Sequence, residues 1–413
     1  MKMYTGYQWL LIDAANMFGH DKMVFEDRIK WAEDNLTVLE SLMDQAETKP
    51  LFYKAVLAIR KAQQGIATGH MVGVDACCSG IQVMSALTGC VAGSKATGMI
   101  DPDRRADAYA ETTAVMSNIL GSSIDISRAD AKQALMTSFY GSKLLPKQIF
   151  GEKTPELDAF YEAATTVAPG AWALLQDLLA SWQPWALSHE WKLPDGFDAR
   201  VKVMAKREVR LEVDELDHAT FTYEFYENRG SKSGLSNAAN MVHSMDAYIL
   251  REMHRRCNYN REVVEQAALF IECEMISRSM TPTVYLGTTP ECKVAYFCEQ
   301  YCRSSLASAA ILPHLTADNV GQLLDSHLMS LAGIVNGMLE YKPFPLVTVH
   351  DEFKAHANNI NMVRWQYKEI LAELADGNVL DDLLTQIHGT PGTFDKLSFN
   401  LGDQIRNSNY ALT

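Results

Sequence analysis

Apolar residues along this chain recur mostly with a helical period. They do so over FEDRIKWAEDNLTVLESLMDQ (25–45), ADAYAETTAVMSNIL (106–120) and HSMDAYILREMHRR (243–256). Shorter stretches read as strands. HMVGVDACCSG (70–80) and FPLVTVHDEF (344–353) are compact β-rich runs, and RVKVMAKREVRLEV (200–213) alternates with a period of two. From about 255 to 345 the pattern is mainly helical, interrupted by the turn-rich TPTVYLGTTPEC (281–292). No repeats, low-complexity tracts or long Pro/Gly linkers divide the chain. The expectation is an α+β protein, helix-dominated, with a small sheet.

One helical stretch departs from the usual amphipathic pattern. RADAKQALMTSFYGSK (128–143) repeats Arg128, Lys132, Met136 and Tyr140 at steps of four. Ser127 followed by Asp130 gives a capping-box-like start and Gly141 a stop, so 128–140 is predicted to be one helix, roughly 20 Å long. Two cations near a helix N-terminus repel each other and oppose the helix dipole. A multiply charged anion such as a triphosphate would make the stripe favourable; a solvated basic face is the plainer alternative.

A second constellation is a pair of aspartates at strand ends, Asp75 in VGVDACCSGIQ and Asp351 in VTVHDEF. If their strands neighbour each other, the two carboxylates suit a pair of Mg²⁺ ions ~3.5–4 Å apart, as in phosphoryl transfer. Taken singly, each is as well explained as a cap or turn residue. Spacing alone does not show that they converge.

Composition narrows this picture. The chain has 413 residues, 47% of them hydrophobic, and a formal net charge of −14. No apolar run approaches the ~18 residues of a membrane span, and the start lacks a signal-peptide layout. The eight cysteines contain no CxxC pair and are expected to be reduced thiols. Cys298 and Cys302 share a helix face and could touch a metal, although two small core residues is the simpler reading. The acidic balance is awkward for unaided binding of nucleic acid, unless basic groups gather in one cleft or another chain supplies charge.

The motifs resemble those of a known family. DACCSGIQ with Asp75, RADAKQALMTSFYG with Arg128, Lys132 and Tyr140, and VHDEF with Asp351 are similar to motifs A, B and C of phage-type single-subunit RNA polymerases, in the same order. YQWLLIDAANMFGHDKMVFEDRIKWAEDN resembles the segment ahead of motif A, with Lys22 where the family has a phosphate-reaching Lys. ADAYAETT carries Tyr109 at the place of an active-site Tyr, and WKLPDGFDARV resembles a Pro-Asp-Gly turn of the fingers. GLSNAANMVHSMDAYILRE places His243 near the substrate, and FNLGDQIRNSNYALT resembles a C-terminal tail that ends beside the active site. QLLDSHLMSLAGIVNGMLEY, with His327, is a weaker mimic of the His243 segment.

The resemblance implies a polymerase right hand, a palm with a small antiparallel sheet and helical fingers. The palm would span 1–106 and 246–413, the fingers 107–245, with an insertion at about 255–340. Asp75 and Asp351 would bind two Mg²⁺, Arg128 and Lys132 would hold the triphosphate, and Lys132 would protonate the leaving pyrophosphate. Tyr140 would lie at the sugar and base pair. Gly80 stands where related family A DNA polymerases put a bulky Glu against the 2′-hydroxyl, and Met136 where they carry an aromatic. Both favour ribonucleotides, while Glu352 looks more like the DNA enzymes. Family A-like DNA polymerase, primase and a polymerase-derived scaffold are the alternatives.

Full-length relatives carry a promoter-binding N-terminal domain and a thumb ahead of the first motif, and the resemblance implies that this chain lacks both. The nearest arrangement is that of the heterodimeric middle-gene RNA polymerases of enquatrovirus-type podoviruses, whose larger, catalytic subunit this chain resembles. The expected partners are a DNA template, an RNA product, ribonucleoside triphosphates, a smaller subunit supplying the thumb and a palm strand, and a single-stranded-DNA-binding or promoter-recruiting factor. No membrane partner is expected, and the expected location is the host cytoplasm.

Overall fold

The computed structural model describes residues 1–121, 126–232, 234–280, 293–391 and 394–413. The turn-rich patch 281–292, with Cys292, therefore lies outside the described residues. The fold is helix-dominated with small antiparallel sheets, as expected from the patterning.

The chain opens with α1 (Gly6–Ala15), where Thr5 and Gln8 form a reciprocal capping box. It continues through α2 (Phe25–Asp34) and α3 (Lys49–Gln63) to the strand β1 (Met71–Asp75). The predicted helix over 25–45 is broken. The backbone and side-chain amides of Asn35 both donate to Trp31 O and close α2, and a short 3₁₀ turn, Leu39–Gln45, follows.

Beyond β1, Cys78 takes a left-handed conformation (φ 60°) and launches α4 (Ser79–Thr88). α4 is buried from its second residue, Gly80, to its end, and α5 (Val91–Ala96) follows it. Next come α6 (Ala108–Leu120), α7 (Arg128–Ser138), α8 (Leu144–Phe150), α9 (Pro155–Val167) and α10 (Pro169–Ala180).

Two hairpins follow, β2 (Ser188–Lys192) with β3 (Asp198–Lys202), and β4 (Ala205–Val213) with β5 (Ala219–Glu227). The strand predicted over 200–213 thus splits. Val203 is buried and its N–H bonds to Leu187 O in continuation of the β2–β3 register, and the pairing with β5 begins at Ala205.

The long helix α11 (Ser236–Cys257) crosses the molecule, followed by α12 (Arg261–Met280), α13 (Lys293–Ser304) and α14 (Asp325–Leu339). The last part holds β6 (Val347–Val349), β7 (Glu352–His356), α15 (Ile360–Asp376), α16 (Val379–His388) and α17 (Leu401–Arg406).

β1, β7 and β6 form one antiparallel sheet in that order, with Asp75 opposite Glu352. The other edge of β1 is joined by the chain's last residues. The N–H of Asp75 donates to Thr413 O, the N–H of Thr413 donates to Asp75 O, and Ala76 bridges Leu412.

Apolar side chains from α1 to α11, the three-stranded sheet and α15 to α17 share one large core. α12, α13 and α14 build a second, smaller one between Val264 and Met338. The region expected as an insertion therefore has its own core. Cys298 is buried in it while Cys302 is exposed, and no metal-binding cluster involves either among the described residues. His327 is buried there too, stacked on Tyr301 at 4.1 Å, and burial pushes its pKa down to about 4.

A buried charge network ties these parts together. Asp195, in the Pro-Asp-Gly turn of the β2–β3 hairpin, accepts from Arg251 (2.6 Å) and Arg255 (2.9 Å) of α11. Glu252 accepts from Arg255, Arg256 and the N–H of Ala309, and Arg256 reaches Glu373 of α15 at 2.6 Å. Arg256 and Glu252 are both fully buried, and removing Arg256 takes the guanidinium from Glu373 and one of several donors from Glu252. We expect Arg256→Ala to lower unfolding stability by about 3–5 kcal/mol, read from urea denaturation.

Candidate functional site

The site is built on the β1–β7 pairing. Asp75 is the last residue of β1, and Asp351 lies in the two-residue turn between β6 and β7, where His350 takes a left-handed conformation (φ 56°). The Ala76 N–H reaches back to Asp351 O at 3.4 Å. Register alone thus brings together two carboxylates that are 276 positions apart (351 minus 75).

They line a cavity of about 520 Å³. The same cavity is lined by Lys22, Gly80, Tyr109, Arg128, Lys132, Met136, Tyr140 and His243, so every predicted site residue faces one space. His327, the weaker candidate, is not among its lining residues.

α7 contributes the cationic wall. Ser127 caps it by accepting from the Ala129 N–H, a simpler cap than the predicted box. Ala131, Ala134, Leu135 and Ser138 pack inward, which leaves Lys132 and Met136 facing the cavity. The helix stops at Ser138, two residues earlier than predicted. Gly141 (φ 91°) lets the Ser142 N–H return to Thr137 O, and Tyr140 sits just past the last turn.

Repulsion between the two cations is partly answered within the chain. Arg128 pairs with Asp107 at 2.6 Å, and both Arg128 and Lys132 lie over the Tyr109 ring, at 5.4 and 5.7 Å. Asp107 in turn caps α6 by accepting from the N–H groups of Tyr109 and Ala110. Lys132 has no carboxylate partner within 4 Å among the described residues. Lys22 pairs with its neighbour Asp21, at the surface.

At the inner end, Tyr140 stacks on His243 (4.7 Å, 7°). A Cβ at Gly80 would lie 2.9 Å from the Tyr140 hydroxyl and 3.5 Å from Val242 Cγ1. The missing side chain thus accommodates Tyr140 itself.

Sequence reading overlooked several lining residues. Asp246 lies one turn beyond His243 on α11 and faces the same cavity. The i, i+3 spacing from His243 was the available signal. Arg105 also lines the cavity, donates to Ala106 O and reaches Thr413 Oγ1 at 3.5 Å. Its Nε is buried without a partner among the described residues.

The acidic wall carries more negative charge than it neutralises. Burial in the cleft, then Asp351 and Glu352, push Asp75 up to about 6, although its carboxylate stays open to the cavity solvent. Burial, then Asp351, push Asp246 up to about 7, and a nearby Ser79 side chain partly opposes the shift. Hard carboxylate oxygens crowded in an open cleft fit a hard divalent cation such as Mg²⁺, which would relieve this repulsion. A different acidic cluster, Glu212, Asp214 and His218, lies exposed at the tip of the β4–β5 ribbon, where His218 already pairs with both carboxylates.

Comparison with known proteins adds a second line of observation. Residues 3–154 match the family described as DNA-dependent RNA polymerase. A DNA-directed RNA polymerase of Pseudomonas phage phiKMV is 24% identical across 33% of this chain and 21% of that protein. Both matches support the DNA-dependent RNA polymerase family. The chain thus matches about a fifth of the length of this curated relative. The family match takes in Asp75 and α7, and it stops before His243 and Asp351. No described helix is long and apolar enough to cross a membrane.

The raised carboxylates predict a pH dependence. A group whose folded pKa lies above its unfolded value of 3.8 binds more protons when folded, so stability falls as pH rises. In the presence of a chelator, the melting temperature should fall between pH 4 and about 7, as Asp75 and Asp246 ionise. Asp75→Asn should flatten that slope, and added Mg²⁺ should reduce it. A slope unchanged by either, in thermal melts across this range, contradicts the electrostatic reading.

Proposed function

We propose that this chain is the catalytic subunit of a DNA-directed RNA polymerase that joins ribonucleoside triphosphates to an RNA 3′-hydroxyl on a DNA template. The observation that carries the reading is the single cavity in which two convergent aspartates face a cationic helix stripe. Neither wall alone has this meaning. Together they fit a triphosphate held between bound cations and fixed cations.

In this reading Asp75 and Asp351 hold two Mg²⁺, which when bound supply Lewis-acid activation of the 3′-hydroxyl and neutralise the leaving phosphates. Arg128, Lys132 and Lys22 grip the phosphates. Lys132 is the better proton donor to the pyrophosphate, because Arg128 is tied to Asp107 and keeps its proton. Tyr109 orients the two cations from below. Tyr140 and His243 form a stacked pair for the sugar and base, with Met136 beside them.

Gly80 leaves the sugar side free of a carboxylate gate. The observation favouring a DNA polymerase is Glu352, but that side chain pairs with Lys354 at 3.1 Å and does not line the cavity.

We assign 1–106 and 246–413 to the palm and 107–245 to the fingers, with the second core at about 255–340 as an elaboration. A smaller subunit completing the thumb and palm, and a single-stranded-DNA-binding or promoter-recruiting factor, belong to this proposal. It acts in the host cytoplasm. The −14 charge supports partners that bring basic surface to the nucleic acid.

The test is template-directed incorporation with Mg²⁺, using this chain with whatever co-purifies from its native source. Ribonucleotides should be incorporated, Asp351→Asn should abolish the activity, and Lys132→Ala should lower kcat by roughly 10²-fold or more. Preference for deoxyribonucleotides, or activity retained by Asp351→Asn, refutes the reading.

A further inference from the structure

The helices α12, α13 and α14 share a core of their own, and α12 turns Val264, Ala267 and Ile271 into it. A helix that packs along one side is expected to be polar along the other. α12 departs from this. Leu269, Ile276 and Met280 are 57%, 51% and 79% exposed, and the exposed Cys273 lies between the first two. All four sit on the side of the helix turned away from the core. None of them lines the cavity of the candidate site.

The spacing indicates what kind of element covers this stripe. Leu269, Cys273, Ile276 and Met280 follow one another at steps of four, three and four. That is the alternation of a and d positions along a seam between two helices. A covering strand or irregular loop gives no reason for a 3.5-residue repeat. In the same frame Glu265 and Glu272 occupy g positions beside the seam, and Glu262 occupies the d position before Leu269. Glu265 pairs with Arg261 at 2.7 Å on its own helix, whereas Glu262 and Glu272 pair with no cation among the described residues.

These carboxylates choose among the occupants. A second copy set antiparallel would bring Glu265 against Glu272, and one set parallel would bring Glu262 against its counterpart; both arrangements repel. An anionic lipid surface would be repelled as well. A helix that carries Lys or Arg beside its own apolar seam would cover all four side chains and match the acidic rim. The net charge of −14 favours the same kind of partner.

We propose that the outer face of α12 is a docking seam for a basic amphipathic helix of another protein. Leu269, Cys273, Ile276 and Met280 form the seam, and Glu262, Glu265 and Glu272 set the charge of the helix it accepts. The inference is independent of what the cavity catalyses.

The probe is a fluorescein-labelled synthetic helix of about three heptads, with Leu at a and d and Lys at e and g. A control peptide carries Glu in place of Lys. Anisotropy titrations with the full chain should show the Lys peptide binding roughly 10-fold or more tighter than the Glu peptide. Ile276→Asp should weaken the Lys peptide roughly 10-fold or more. Glu265→Lys combined with Glu272→Lys should reverse the preference. Circular dichroism and thermal melting should show these variants folded, because the altered side chains are exposed. A second measurement needs no variant. Maleimide should alkylate Cys273 in the free chain, as it does the exposed Cys302, and the Lys peptide should slow the reaction at Cys273 alone. Mass spectrometry of the digested chain separates the two sites. Binding of neither peptide, equal binding of both, or binding that survives Ile276→Asp overturns the proposal. So does a Cys273 that stays unreacted in the free chain, because the seam is then covered by the chain itself.

Discussion

The antiparallel pairing of β1 with β7 is the constraint on which the rest depends. Strand register is set in steps of one residue, and a slip of one would turn every side chain to the opposite face. Here Val72 and Val74, with Phe353 and Ala355, point into the core and fix that register. Once they do, Asp75 and the turn bearing Asp351 have nowhere to go but the same rim. The last residues of the chain pair with Asp75 on its other side and hold the strand from both edges. A carboxylate pair that repels itself is thus maintained by apolar packing some distance beneath it.

The cationic wall has a parallel logic. Small residues on the inner face of α7 let it lie close to its neighbours, and Gly141 stops it where Tyr140 can turn toward α11. Asp107 then pairs with the first cation, and Lys132 faces the cavity without a carboxylate partner among the described residues. The two walls are joined through α11, whose far end is anchored by the Asp195, Arg251, Glu252, Arg256 and Glu373 network. This places a structural charge network at the C-terminal end of a helix whose middle lines the cavity. The network is matched internally. The cavity is left with an excess of carboxylates on one side and cations on the other, as expected of a site that binds charged ligands.

Much of this was legible in the sequence. The i, i+4 stripe on α7 is a local pattern, and local patterns survive into the fold. The motif order supplied Asp75 and Asp351, which spacing alone could not join, because convergence across 276 positions is a property of register. The split between β3 and β4 was not legible, because it follows from the two halves pairing with different strands, β2 and β5. Sequence reading also lost the break in α2, where one asparagine outweighed a continuing apolar period. Asp246 was missed because a carboxylate on a mixed helix face looks solvated until the neighbouring elements close over it. Gly80 was read as room for a ribose, and only the coordinates reveal that the missing side chain accommodates Tyr140.

In the proposed reading, Asp75 and Asp351 form one divalent-cation site completed by a triphosphate. The most direct measurement is a Mn²⁺ titration followed by electron paramagnetic resonance, with and without a non-hydrolysable ribonucleoside triphosphate. Mn²⁺ should bind more tightly in the presence of the nucleotide and should fail to bind in both Asp75→Asn and Asp351→Asn. Binding that persists in both variants, or that ignores the nucleotide, would contradict it.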